Sequence, residues 1–105
     1  MKYLINESMA KKMAFEGIKD VFIELDLERK EFDSFIVYST IDEADFGYDN
    51  VVIEYDYEDG RLYVEPRYFE NMLSLFGYNT IDEQKEIFEG WFYSWEGIKP
   101  QYVEF

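Results

Sequence analysis

Glu54, Asp56 and Glu58 stand at every second position of one extended stretch, and Asp59 and Glu65 follow close behind. Side chains at i and i+2 of a strand share a face and stand roughly 6.6–6.8 Å apart, so these three carboxylates form a line of evenly spaced negative charge. A second group, Asp42, Glu43, Asp45 and Asp49, precedes them, with Tyr48 in its midst. Carboxylates at this density suit three kinds of chemistry: holding a hard cation, paired acid–base hydrolysis, and recognition of a basic surface.

The first two fail on spacing and composition. A calcium loop of the EF-hand type needs acids at positions 1, 3 and 5, Gly at 6 and Glu at 12. Placing Gly60 at position 6 puts Tyr55 first; placing Gly47 there puts Ala44 third and Ile53 twelfth. Loose Mg²⁺ or Ca²⁺ contact among Asp42, Glu43, Asp45 and Asp49 is the one cation reading left. Glu28-Arg29-Lys30, with Asp26 nearby, shares the acid–x–Lys element of metal-dependent nucleases, but so acidic a chain repels nucleic acid, and the segment reads as a solvated turn. Two carboxylates suit glycoside hydrolysis only at a defined separation in space. The chain has no His and no Cys, so the commonest general base and the thiolate ligands are missing, and no Gly-rich phosphate loop is present. The expectation is no enzyme, no catalytic residue, no metal site and no cofactor.

The third chemistry fits the charge distribution. Net charge is −14, and residues 31–60 hold ten Asp and Glu without a single Lys or Arg. Such a field repels nucleic acid and anionic lipid and speeds encounter with basic partners. Tyr48, Tyr55, Tyr57 and Tyr63 are interleaved with these acids, and Tyr is enriched at the centres of protein interfaces. A solvated outer sheet face accounts for exposed acids, but not for thirty residues free of any cation.

What must position these groups is one domain, residues 1–105, since the length leaves no room for a second core. Aromatics make up 21% of the chain, enough ring surface for a compact interior. The first helix is expected from Asn6 or Ser8 to Glu16, ending at Gly17. Val21-Phe22-Ile23-Glu24-Leu25-Asp26-Leu27 alternates as a half-buried strand, and Phe35–Tyr38 reads as a second, more buried one. Thr40 to Asn50 is an acidic loop or short helix. Asp59-Gly60 suits a two-residue type I′ turn, pairing strands 51–58 and 61–65 with Tyr57 opposite Leu62. Ile53, Tyr55, Tyr57, Leu62 and Val64 then face the core, and Val52, Glu54, Asp56, Glu58, Arg61, Tyr63 and Glu65 face outward. Pro66 opens a helix whose Phe69, Met72, Leu73 and Phe76 repeat at helical spacing up to Gly77. Thr80–Glu83 is a capping box before a stripe of Ile87, Phe88, Trp91, Phe92 and Trp95, read as core despite Gly90. Tyr102–Phe105 is a candidate edge strand. The fold class is α+β: an antiparallel sheet of about four strands, with an N-terminal helix and two C-terminal helices packed on one face.

No apolar run reaches the length of a membrane span, and the N-terminus stops being apolar after three residues, unlike a signal peptide. The expected location is the cytoplasm of a bacterial host. The composition resembles that of phage and plasmid anti-defence proteins, including anti-CRISPR and anti-restriction factors, although no motif places the chain in a family. That likeness implies an inhibitor presenting a DNA-like acidic surface to a basic nucleic-acid-binding protein, a nuclease or a CRISPR effector. The expected contact residues are Asp42, Glu43, Asp45, Tyr48, Asp49, Glu54, Asp56, Glu58, Asp59, Tyr63 and Glu65, with no direct nucleic acid or membrane partner. An immunity protein or antitoxin that plugs a basic toxin uses the same physics. A structural or regulatory module with merely solvated acids is the reading from a different class.

Overall fold

The computed structural model describes residues 7–40 and 50–105. Its chain order is helix α1 (Glu7–Leu25), strands β1 (Leu27–Glu31), β2 (Phe35–Thr40), β3 (Val51–Asp56) and β4 (Arg61–Val64), a 3-10 turn at Pro66–Tyr68, helices α2 (Glu70–Leu75) and α3 (Ile81–Glu96), and strand β5 (Tyr102–Glu104). The fold is α+β. The strands lie in sequence order in one five-stranded sheet; β1 to β4 are antiparallel neighbours, and β5 joins β4 in parallel. Ile36, Tyr38, Ile53, Tyr55, Leu62, Val64 and Val103 bury one sheet face against Ala14 and Ile18 of α1, Leu73 of α2 and Ile87, Phe88, Trp91 and Phe92 of α3. Sheet and helices thus share a single cluster of buried side chains.

The expected strand at 21–27 is instead the second half of α1. Ala14, Ile18, Val21, Phe22 and Leu25 recur at helical spacing and turn toward the core, while Ile23, read as inward, stays 68% exposed. Alternation over 21–27 is compatible with both periods, and packing selects the helical one. Gly17 does not end the helix. It lies inside it, where the Met72 side chain takes the space of a Cβ, with Sδ 2.6 Å from that position. Asp26 turns the chain out of the helix at φ 52°, and the charged Leu27–Glu31 becomes the edge strand.

The hairpin at Asp59-Gly60 forms, but its loop is longer than expected. Asp56 faces Arg61, Tyr55 faces Leu62, Glu54 faces Tyr63 and Ile53 faces Val64, so Tyr57 is not opposite Leu62. Asp56 causes the shift: its Oδ1 accepts from the Glu58 N–H at 2.8 Å and its carbonyl accepts from the Gly60 N–H at 2.9 Å. These bonds capture the chain into a turn two residues early. The displacement is two residues, an even number, so the side chains paired across β3 and β4 keep their expected faces. Two residues depart from the scheme. Val52 is buried, because a bulge opposite Tyr38 and Ser39 makes it an extra residue in β3. Tyr57 leaves the core face for the turn and is 41% exposed.

In the helical layer, Thr80 and Glu83 form the capping box. Gly90 leaves α3 unbroken and gives close room to Phe15 of α1, whose ring lies 3.4 Å from the Cβ position. Trp91 is buried as expected. Trp95 is not core: it stacks on Trp91 at the helix end and is 49% exposed.

Candidate acidic interface

The described helices all pack on one face of the sheet, and no described element covers the other. Strand pairing places Lys30, Val37, Glu54, Tyr63 and Glu104 in one row across it, and Phe35, Asp56, Arg61 and Tyr102 in the next. Glu54 and Asp56 therefore occupy the outer face as expected, with Tyr63 beside them. Glu54 makes no hydrogen bond or ion pair among the described residues. The row of three evenly spaced carboxylates ends at Asp56, however, because Glu58 belongs to the turn rather than to the strand.

The turn supplies a second acidic group. Two loops meet at this end of the sheet, joined by the Tyr57 N–H donating to the Ser34 carbonyl at 2.9 Å. Asp33, Glu58 and Asp59 are exposed there, with Phe32 and Tyr57 between them as exposed rings. Tyr57 donates its hydroxyl to Glu31 Oε1 at 3.0 Å; residual burial and this carboxylate push its pKa up, which keeps the donor protonated. Asp59 Oδ1 accepts from the Arg61 N–H at 3.1 Å, closing the turn.

Both arginines near this face are engaged within the molecule. Arg61 Nη1 lies 3.5 Å from Glu104 Oε2, while its buried Nε has no hydrogen-bond partner. Arg67 lies 3.9 Å from Glu65, donates to the Tyr68 hydroxyl at 2.9 Å and packs over that ring. Tyr63 donates to Glu65 at 3.1 Å, so Glu65 is held at the end of the sheet opposite the Asp59-Gly60 turn. The expected contact residues are thus divided. Glu54, Asp56 and Tyr63 share the open face, Glu58 and Asp59 rim one end of it, and Glu65 marks the other. Asp42, Glu43, Asp45, Tyr48 and Asp49 lie outside the described residues.

Sequence reasoning missed Phe32, Asp33, Phe35, Tyr102 and Glu104 as members of this surface. The alternation of Tyr102-Val103-Glu104 carries a signal for β5, but its parallel pairing with β4 rests on a contact more than forty residues away. Among the described residues no three carboxylates converge closely enough to hold a metal ion, and no helix is long and apolar enough to cross a membrane. Comparison with protein-family models, with curated proteins and with solved structures found no match.

Proposed function

We propose that this chain is an inhibitor that docks its open sheet face on the nucleic-acid-binding surface of a basic protein, such as a nuclease or a CRISPR effector. One observation carries the reading. Glu54 and Asp56 stand on a face that no described element covers and that runs into Asp33, Glu58 and Asp59, while Arg61 and Arg67 near that face are bound to the molecule's own carboxylates. Exposed Tyr102 and half-exposed Tyr63 and Phe35 add ring surface of the kind that anchors protein interfaces. The match to nucleic acid lies in the sign and density of charge, not in a phosphate-like row, since the row is only two residues long.

The test is binding to purified basic nucleases and CRISPR effectors, with salt and DNA competition as variables. Affinity should fall steeply as salt rises, because the screening length shrinks from about 10 Å at 0.1 M to about 3 Å at 1 M. Inhibitor and DNA should exclude each other. Replacing Glu54, Asp56 and Glu58 with Lys should abolish binding, whereas reversing Asp82, Glu86 and Glu89 on α3 should do much less. Equal effects of the two sets would reduce the interaction to net charge, and no effect of either would remove the open face from consideration. A basic toxin bound at a site that DNA does not contest would shift the reading to an immunity protein.

A further inference from the structure

The helical side carries a groove whose chemistry is the reverse of the open sheet face. Lys12, Phe15 and Lys19 of α1 and Trp91 and Trp95 of α3 line a space of about 190 Å³, with Glu16 and Ser94 at its rim. The two indoles stack with centroids 6.1 Å apart and planes 16° from parallel, so Trp95 offers a flat apolar wall that is half open to solvent. Lys12 and Lys19 make no ion pair among the described residues. Two bases against one acid leave this rim positive on a chain whose net charge is −14. A groove of this size takes one large ring, and its lysines call for carboxylates on either side of that ring.

The molecule displays such a segment. Phe32 is 50% exposed at the β1–β2 turn, flanked by Glu31 and Asp33. Its ring touches Phe35 with centroids 4.9 Å apart, and Glu58 of the neighbouring turn is joined to the same end by the Tyr57–Ser34 bond. Groove and turn lie on the same flank. Arg29, two residues before Glu31, holds Glu96, the residue after Trp95, with Nε 2.7 Å from Oε1. Sites on one flank can be exchanged reciprocally by two copies related by a two-fold axis, which closes the assembly.

We propose that two copies of this chain associate by placing Phe32 of each against Trp95 of the other, with Asp33 and Glu58 facing Lys12 and Lys19. The net charge of each copy opposes the contact, and a single turn in a groove buries less than a standard interface. The dimer is therefore weak and forms at high protein concentration. This pairing needs no other protein and does not rest on the function proposed for the sheet face.

Sedimentation equilibrium of the full chain over a wide concentration series tests it. The expected result is a monomer–dimer equilibrium that weakens by at least about tenfold in Lys12→Glu/Lys19→Glu, and likewise in Asp33→Lys/Glu58→Lys. All four side chains are exposed, and circular dichroism and thermal melting check that each variant folds. Mixing the two variants should restore a dimer, since each then meets the charge it lacks. A chain that stays monomeric at the highest concentration, or a dimer indifferent to both sets, overturns the proposal.

Discussion

Glu96 and Glu54 carry the same carboxylate on opposite sides of the sheet, and their surroundings give them opposite work. Glu96 ends α3 with its side chain only 11% exposed. Arg29 donates to it twice, Nε at 2.7 Å and Nη2 at 3.0 Å, and the Tyr38 hydroxyl donates to it as well. Burial works against its ionisation, but the Arg29 and Tyr38 hydrogen bonds outweigh that and hold its pKa below the usual range. Tyr38, pushed up by burial and then by Glu96, stays a donor. This network ties the charged edge strand β1 to the last turn of α3. Glu54 is half-buried on the outer face and makes no hydrogen bond or ion pair among the described residues. A satisfied carboxylate contributes to the fold, whereas an unbound one adds only to the charge of the surface.

Four variants sharpen or break this contrast. The largest effect should come from the covered side: Phe88→Ala removes a fully buried ring packed on Phe69 and Trp91, and denaturant unfolding should show a loss of about 3–5 kcal/mol. Next, Glu96→Gln should cost about 1.5–3 kcal/mol, toward the lower end because Arg29 is partly exposed. A fully neutral result would mean that β1 is held by the sheet alone.

The same variant should alter the acid limb of stability. Glu96 has a lower pKa folded than unfolded, where it is about 4.3. Its contribution is present above that value and is lost as pH falls through the folded pKa. Wild type should therefore lose more stability than Glu96→Gln between neutral pH and strongly acidic pH, read as melting temperature. Thr80→Ala, which deletes the cap that accepts from the Glu83 N–H at 3.1 Å, should cost about 1 kcal/mol. The smallest effect should be on the open face: Glu54→Lys should change stability by no more than about 0.5 kcal/mol. A larger loss would show that Glu54 supports the hairpin and is not free for a partner.

Where the sequence carried a local, redundant signal, the structure follows it. The capping box at Thr80–Glu83, the stripe from Ile87 to Phe92, the Gly60 turn and the face parity of β3 and β4 each depend on residues within one turn or one hairpin. Parity survived even a wrong register, because a shift by two preserves faces and the alternation of Ile53, Tyr55, Leu62 and Val64 demanded that. Asp56 decided the register through its side chain, an effect that the strong Asp-Gly signal at the turn concealed.

The failures are of another kind. Whether 21–27 is strand or helix depends on what it packs against, and the Met72 side chain of a distant helix takes the space beside Gly17 inside α1. Trp95 belongs to an apolar stripe, yet it lies at the groove between α1 and α3, stacked on Trp91 with its ring half in solvent. The open face was legible as two carboxylates and a tyrosine; its completion by Phe35, Tyr102 and Glu104 needed β5 to find β4. Composition and periodicity thus determined the fold class and which side chains share a face, since both follow from the geometry of a few neighbouring residues. Tertiary packing alone decided which carboxylates are satisfied and which remain open, because a hydrogen bond such as Arg29 to Glu96 joins residues 67 apart.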